Sequence, residues 1–362
     1  MHKPVAAVVN NLKFILIALV VANNAIEPLI GSHVGLRTLY QSIYTFHIPM
    51  FVFAMGLLAQ RGRKSTCHEL GAATHTAIGI SWEKPDQADM RSLLNLAWQY
   101  LLFQSLYSLA DVFLFHAPHV IHSFFMPYSL LWFLCSHFCW RFMLGLFVQL
   151  NRPVFAILGA VLLGVLVGFL PLPGALLSIS RTFVLFPFYL AGYYCRMDQA
   201  RMLQLRRWRL PATAFAVAWF VGLALYGHRL PFAWQYGNAT YAELHMNEWA
   251  AGLRLAYYGV QAVVSVAFLS WIPWTDRGWT ALGGRTVFVF LLHGLLLKAL
   301  IAAGVYEPFA LPMQIVLALA IAAALVAALS QSCVQRWVHP VIEPPFPELP
   351  LFRRRLRQHK RG

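Results

Sequence analysis

The stretch Lys13-Phe14-Ile15-Leu16-Ile17-Ala18-Leu19-Val20-Val21-Ala22-Asn23-Asn24-Ala25-Ile26-Glu27 holds an unbroken apolar run between a lysine and a short polar cluster. Extended to about residues 11–30, the run has the length of a helix that crosses the hydrocarbon core of a bilayer. Hydrocarbon offers no partners for polar groups, so Lys13, Asn24 and Glu27 are costly there and mark a candidate functional stripe. Eleven residues at 100° each bring Asn24 back to within about 20° of Lys13, some 16 Å further along the axis. Glu27 continues the same side. The run also follows Met1-His2-Lys3 as a secretion signal would, but no small-x-small cleavage site ends it. It therefore reads as a retained first membrane helix.

Nine further apolar runs follow, at about 38–59, 92–115, 126–148, 154–171, 181–196, 211–228, 253–272, 285–305 and 312–336. The composition agrees: 59% of the 362 residues are hydrophobic and only 11% charged, against about a quarter charged in soluble chains. The expectation is an all-α, polytopic integral membrane bundle of about ten helices. The net charge of +15 could suggest nucleic acid, but its distribution argues otherwise. With the N-terminus in the cytoplasm, 22 of the 28 Lys and Arg residues fall in inside segments. Only Arg37, Arg181, Arg229, Arg254 and Lys298 lie outside or in outer halves of spans, and Lys13 lies within the first. Such asymmetry is topological. It predicts both termini in the cytoplasm and excludes nucleic acid as a partner. Residues 1–340 read as one membrane domain, and 341–362 as a proline-rich then basic cytoplasmic tail attracted to anionic lipid.

No phosphate loop, nucleophile elbow or zincin pattern is present. Cys135-x-His137-x-Cys139 resembles a metal motif on paper, but on a helix the two cysteines share a face and His137 points nearly opposite. His116, His119 and His122 read as interfacial histidines. No metal is expected. The polar groups inside the spans remain: Lys13, Asn24, Glu27, His47, Asp111, Arg181, His293 and Lys298.

Five blocks of sequence carry a resemblance. Phe46-His47-Ile48-Pro49-Met50-Phe51-Val52-Phe53, ending in Gly56, is similar to the "FHMPLFFFxSG" block of the acyltransferase family 3 membrane enzymes, in the branch related to fucose 4-O-acetylase. In order along the chain stand Leu12-Lys13-Phe14, that block, and Pro127-Tyr128-Ser129-Leu130-Leu131-Trp132-Phe133-Leu134. Arg181-Thr182-Phe183 with Phe186-Pro187-Phe188-Tyr189-Leu190-Ala191-Gly192 comes next. Leu282-Gly283-Gly284-Arg285-Thr286 with Phe290-Leu291-Leu292-His293-Gly294 closes the series.

The resemblance implies transfer of an acetyl group from acetyl-coenzyme A to a hydroxyl of an exported or lipid-linked glycan, in the inner membrane of a bacterium. It also implies contact with membrane lipid and with polysaccharide-assembly proteins. Arg61, Arg63 and Lys64, at the inner end of the second span, are placed to meet the donor's phosphates. Glu27, Trp132 and Arg181 are assigned to the acceptor. A sugar hydroxyl needs a base, and histidine suits that work near neutral pH. The family's first span usually carries a basic residue and, eleven positions later, a catalytic histidine; those positions here are Lys13 and Asn24. Asparagine cannot accept the proton. Either His47 or His293 supplies the base, or catalysis has been lost and the fold kept as a scaffold. Similar depth in antiparallel spans makes His47 the leading candidate, with Asn24 beside it as orienting partner. A transporter of acyl donor or lipid-linked glycan is the other alternative, though the repeated halves common in transporters are absent from the sequence.

Overall fold

A computed structural model describes residues 3–69, 87–115, 122–150, 152–171, 176–195, 204–246 and 249–345. Among the described residues there are no strands, and ten long helices follow one another in the order the apolar runs predict. They are α1 (Lys3–Ile26), α2 (Val34–Glu69), α3 (Gln87–Ala110), α4 (Trp132–Val148) and α5 (Pro153–Leu166). After them come α6 (Ile179–Tyr194), α7 (Arg209–Tyr226), α8 (Ala250–Trp271), α9 (Thr286–Ala302) and α10 (Leu311–Leu329). Eight segments are long and apolar enough to cross a membrane, so the chain is built as a polytopic helical membrane protein. The two that fall short are α3, whose first turns carry Arg91, Ser92 and Asn95, and α5, which reaches only Phe169 with its final 3-10 turn.

The last apolar run divides. The reading of 312–336 as one span gives way to α10, a break at Ser330–Gln331, and a separate helix α11 (Ser332–Ile342). The Arg285 guanidinium donates to the Ser330 carbonyl at 2.9 Å, supplying a partner to an otherwise open helix end.

Helices α1, α2 and α6 form the centre. α1 packs on α2, α9 and α10, while α2 packs on α1, α6, α7 and α8. The α2–α6 crossing is the tightest. A Cβ added at Gly56 would run into the Tyr189 backbone carbonyl, and one added at Gly192 into that of Phe53. Small residues at such crossings let backbones meet where lipid gives no hydrophobic push between helices. Phe51, Phe133 and Phe290 join α2, α4 and α9, with ring centroids 5.2 to 6.2 Å apart. Outward faces carry exposed apolar side chains such as Phe142, Leu158, Val217, Leu255 and Val316, a distribution that suits lipid rather than water.

Candidate functional site

His293 lies on α9 with no exposure at all. Its Nδ1 is 2.8 Å from the Val289 carbonyl oxygen, one turn back. A carbonyl only accepts, so Nδ1 carries the ring proton and the lone pair sits on Nε2. That lone pair faces the Asn24 amide nitrogen at 3.0 Å. Asn24, eleven residues after Lys13, is therefore a hydrogen-bond donor to His293.

Asn24 also lines a cavity of about 360 Å³, along with Glu27, Tyr128, Ser129, Gly294 and Lys298. Its remaining wall is apolar and includes Phe115, Leu297 and Ile301. Glu27 comes from the 3-10 turn that ends the first helix, and Lys298 from the last turns of α9. The Lys298 ammonium stands 5.0 Å from the centre of the Tyr128 ring, a cation–π distance. The Tyr128 hydroxyl donates to Asp111 Oδ1 at 2.7 Å, and the other Asp111 oxygen lies 3.2 Å from His122 Nε2. Asp111 is buried, so these partners balance a carboxylate that would otherwise be costly. It opens a π-helical turn, Asp111–Phe115, a feature frequent at functional sites.

The wall formed by residues 123–129 is tied down from α3. Gln104 donates to the carbonyls of Ser123 (2.8 Å) and Met126 (3.0 Å) and accepts from the Tyr128 amide at 2.9 Å. Tyr100 donates to the Phe124 carbonyl at 2.7 Å. Ser129 is held at φ +48°, a left-handed conformation unfavourable for a residue with a Cβ. Gly294 also lines the cavity, and a methyl group there would overlap the Leu130 and Tyr107 side-chain tips, which would have to move.

A second cluster centres on Arg181 at the start of α6. Its guanidinium carbon lies 4.8 Å from the Trp132 ring centre and 5.9 Å from that of Tyr236. The Asn238 amide, oriented to donate to the Ala233 carbonyl at 3.2 Å, accepts from Arg181 Nη2 at 3.1 Å. Tyr236 shares a 2.8 Å hydrogen bond with Tyr40 and packs on Tyr44, 4.6 Å between centroids. Tyr44 meets His47 edge-on at 5.1 Å. The buried His47 ring donates from Nδ1 to the Ile43 carbonyl at 2.7 Å. Trp132 and Arg181 are thus brought together, and Glu27 joins Asn24 at the cavity.

The expected pairing of Asn24 with His47 is corrected by the Asn24–His293 hydrogen bond. Depth alone could not choose between them, because α1 packs on both α2 and α9 and azimuth decides which helix a side chain meets. Lys13 is half-buried near the N-terminal end of α1, away from the Asn24–Glu27 end. That N-terminal end is anchored by Asn11, which donates to the carbonyls of Pro273 (2.9 Å) and Thr275 (3.0 Å) and accepts from Thr280 at 2.6 Å. Arg61, Arg63 and Lys64 fall on the helical backbone of α2, but their side chains lie outside the described residues, as do His116 and His119. Cys135 donates to the Leu177 carbonyl at 3.4 Å, whereas His137 packs on Phe133, Trp140 and Tyr189. The two residue types diverge as helix geometry requires.

Sequence reasoning noted Lys298 and Tyr128 without assigning them to the site. Lys298 follows His293 by five residues on one helix, which was the available signal. The Gln104 clamp had none, since a buried glutamine in an apolar run names no partner. Comparison of the chain with protein-family models and curated proteins, and of its fold with solved structures, finds no match.

Proposed function

We propose that the chain is a membrane O-acyltransferase that moves an acetyl group from acetyl-coenzyme A to a hydroxyl of an exported or lipid-linked glycan. The observation that carries this reading is the Asn24–His293 pair, in which an imidazole lone pair is separated from a polar cavity by one amide. The five ordered sequence blocks support it.

In this reading His293 is the base. Rotation of the Asn24 side chain away from Nε2 opens the lone pair to an acceptor hydroxyl in the cavity. As the hydroxyl oxygen bonds to the thioester carbonyl carbon, its proton passes to Nε2. The C–S bond then breaks, and the proton leaves with the thiolate. Lys298 and the freed Asn24 amide supply positive charge and a donor for the developing oxyanion. Glu27, on the cavity wall, is the hydroxyl acceptor, and the Trp132–Arg181 cluster is assigned to the acceptor sugar. His47, tied into the ring cluster, is the rival base.

The test is transfer of labelled acetyl from acetyl-coenzyme A to the glycan fraction by membranes containing the chain, compared with membranes lacking it. Incorporation that depends on the chain is expected. A purified, folded protein that neither binds nor hydrolyses acetyl-coenzyme A would overturn the enzyme reading.

Two further expectations belong to it. On this reading the chain crosses ten times, with both termini and segment 60–91 on the cytoplasmic side and 229–252 outside, the orientation that the charge asymmetry favours; the bacterial inner membrane is what the resemblance implies. Cysteines introduced at positions 75 and 240 are then labelled from opposite sides by a membrane-impermeant maleimide; labelling of both from one side defeats the arrangement. Replacing Arg61, Arg63 and Lys64 by glutamine should raise the apparent KM for acetyl-coenzyme A about tenfold or more, given the strength of charge-assisted phosphate contacts, and leave acceptor dependence unchanged. An unaltered donor KM reduces these residues to membrane anchors.

A further inference from the structure

The helix α11, Ser332–Ile342, has three faces rather than two. Val334, Val338 and Ile342, four residues apart, turn toward the bundle, and Ile342 is fully buried. Arg336 and His339 form a polar, exposed sector, with His339 3.5 Å from Glu343. The remaining sector is apolar and uncovered: Cys333, Trp337 and Val341, again at four-residue spacing, with Trp337 82% and Val341 54% exposed. A soluble face gains nothing from displaying a tryptophan so fully.

The level of the helix identifies the occupant of that face. It packs on α3, α9 and α10 at the end of the bundle where α9 begins and α10 stops. Trp98 of α3, itself part-exposed, donates its indole N–H to the Val341 carbonyl at 2.7 Å. From Trp98 to Phe115 the chain rises about 26 Å at helical pitch, close to the hydrocarbon thickness of about 30 Å. Arg91, Ser92 and Asn95 precede Trp98 on the aqueous side of that level, and Arg141 of α4 donates to Ser92 there at 2.6 Å. Tryptophans whose apolar body and polar N–H divide between lipid and water collect at this boundary.

We infer that α11 is an interfacial anchor that lies in the headgroup region of the inner leaflet, with Cys333, Trp337 and Val341 seated in lipid and Arg336 and His339 facing water. The apolar sector continues the lipid-facing belt of the bundle, and the guanidinium of Arg336 sits at headgroup level. The assignment is independent of the acyl-transfer reading. It also accounts for α3, whose polar first turns stand clear of the hydrocarbon.

The experiment places a nitroxide on single cysteines at 333, 336, 337, 339 and 341. The full chain, with its other cysteines replaced by alanine, is reconstituted in phosphatidylcholine–phosphatidylglycerol vesicles. Oxygen, which partitions into lipid, should collide more often than a nickel chelate at 333, 337 and 341, and the order should reverse at 336 and 339. Nickel access at 337 and 341 would place that face in water. Shielding of both sites from both reagents would mean that protein covers it. Either result overturns the anchor. Where the cysteine-free chain fails to fold, the native chain serves. Lipid brominated near the carbonyl should quench its tryptophan emission more than that of Trp337→Phe, and equal quenching rejects the assignment.

Discussion

Substitution of His293 by alanine is expected to lower glycan acetylation by about 10²–10⁴, the usual worth of a general base, while the protein still inserts and accumulates. The alanine variant also opens a small void in a fully buried position, so its loss of activity alone is ambiguous. His293→Gln resolves it. Glutamine fills much of the volume and keeps a donor for the Val289 carbonyl and an acceptor for Asn24 but cannot take a proton near neutral pH. If His293 only ties α9 to α1, as polar side chains often do between membrane helices, the glutamine variant keeps its activity. If it is the base, both variants fail alike. His47→Gln is the companion measurement and should retain most activity, because His47 is fixed within the Tyr44 cluster. An inactive His47→Gln beside an active His293→Gln would transfer the base to His47. Asn24→His separates a further possibility: a large gain in rate would show that the chain is an impaired relative of the family it resembles.

The largest effect on folding is expected at Gly56. Its Cα faces the Tyr189 carbonyl across the α2–α6 crossing, and Gly192 faces that of Phe53 in return. A methyl group at either site meets backbone, which cannot rotate away as a side-chain tip would. Gly56→Ala must therefore push the two helices apart, at a cost on the order of 1–3 kcal/mol or more, a large share of a typical folding free energy. Separation would also disturb the ring cluster, since α6 carries Arg181 and α2 carries Tyr40, Tyr44 and His47. Gly222→Ala and Gly252→Ala are the controls, because nothing lies within 4 Å of an added Cβ at either. Alanine there should be neutral or slightly stabilising, by up to about 1 kcal/mol of helix propensity. Thermal unfolding in detergent, read by size-exclusion chromatography, compares the set. Equal melting of Gly56→Ala and Gly222→Ala would mean that the crossing is looser than the contacts require.

The apolar runs made the membrane class legible because crossing hydrocarbon is a local demand: each span must hide its own backbone polar groups within one helix. Lys13, Asn24, His47 and His293 stood out for the same reason, since a polar group in an apolar run is visible without knowing its neighbours. Glycines at 56 and 192 were legible only as members of blocks, and their facing carbonyls became visible with the crossing itself. The division of the last run also needed tertiary structure. Residues 312–336 are apolar enough to read as one helix, and the break at Ser330–Gln331 is stabilised by Arg285, forty-five positions earlier in the chain. Asn24 makes the sharpest contrast. Counting residues along α1 gave its depth, which is a property of one helix, but its partner is a property of three. Whether it meets His47 on α2 or His293 on α9 depends on the rotation of α1 between them, and the packing of Leu12, Leu16, Ile17 and Val21 against the surrounding helices sets that rotation.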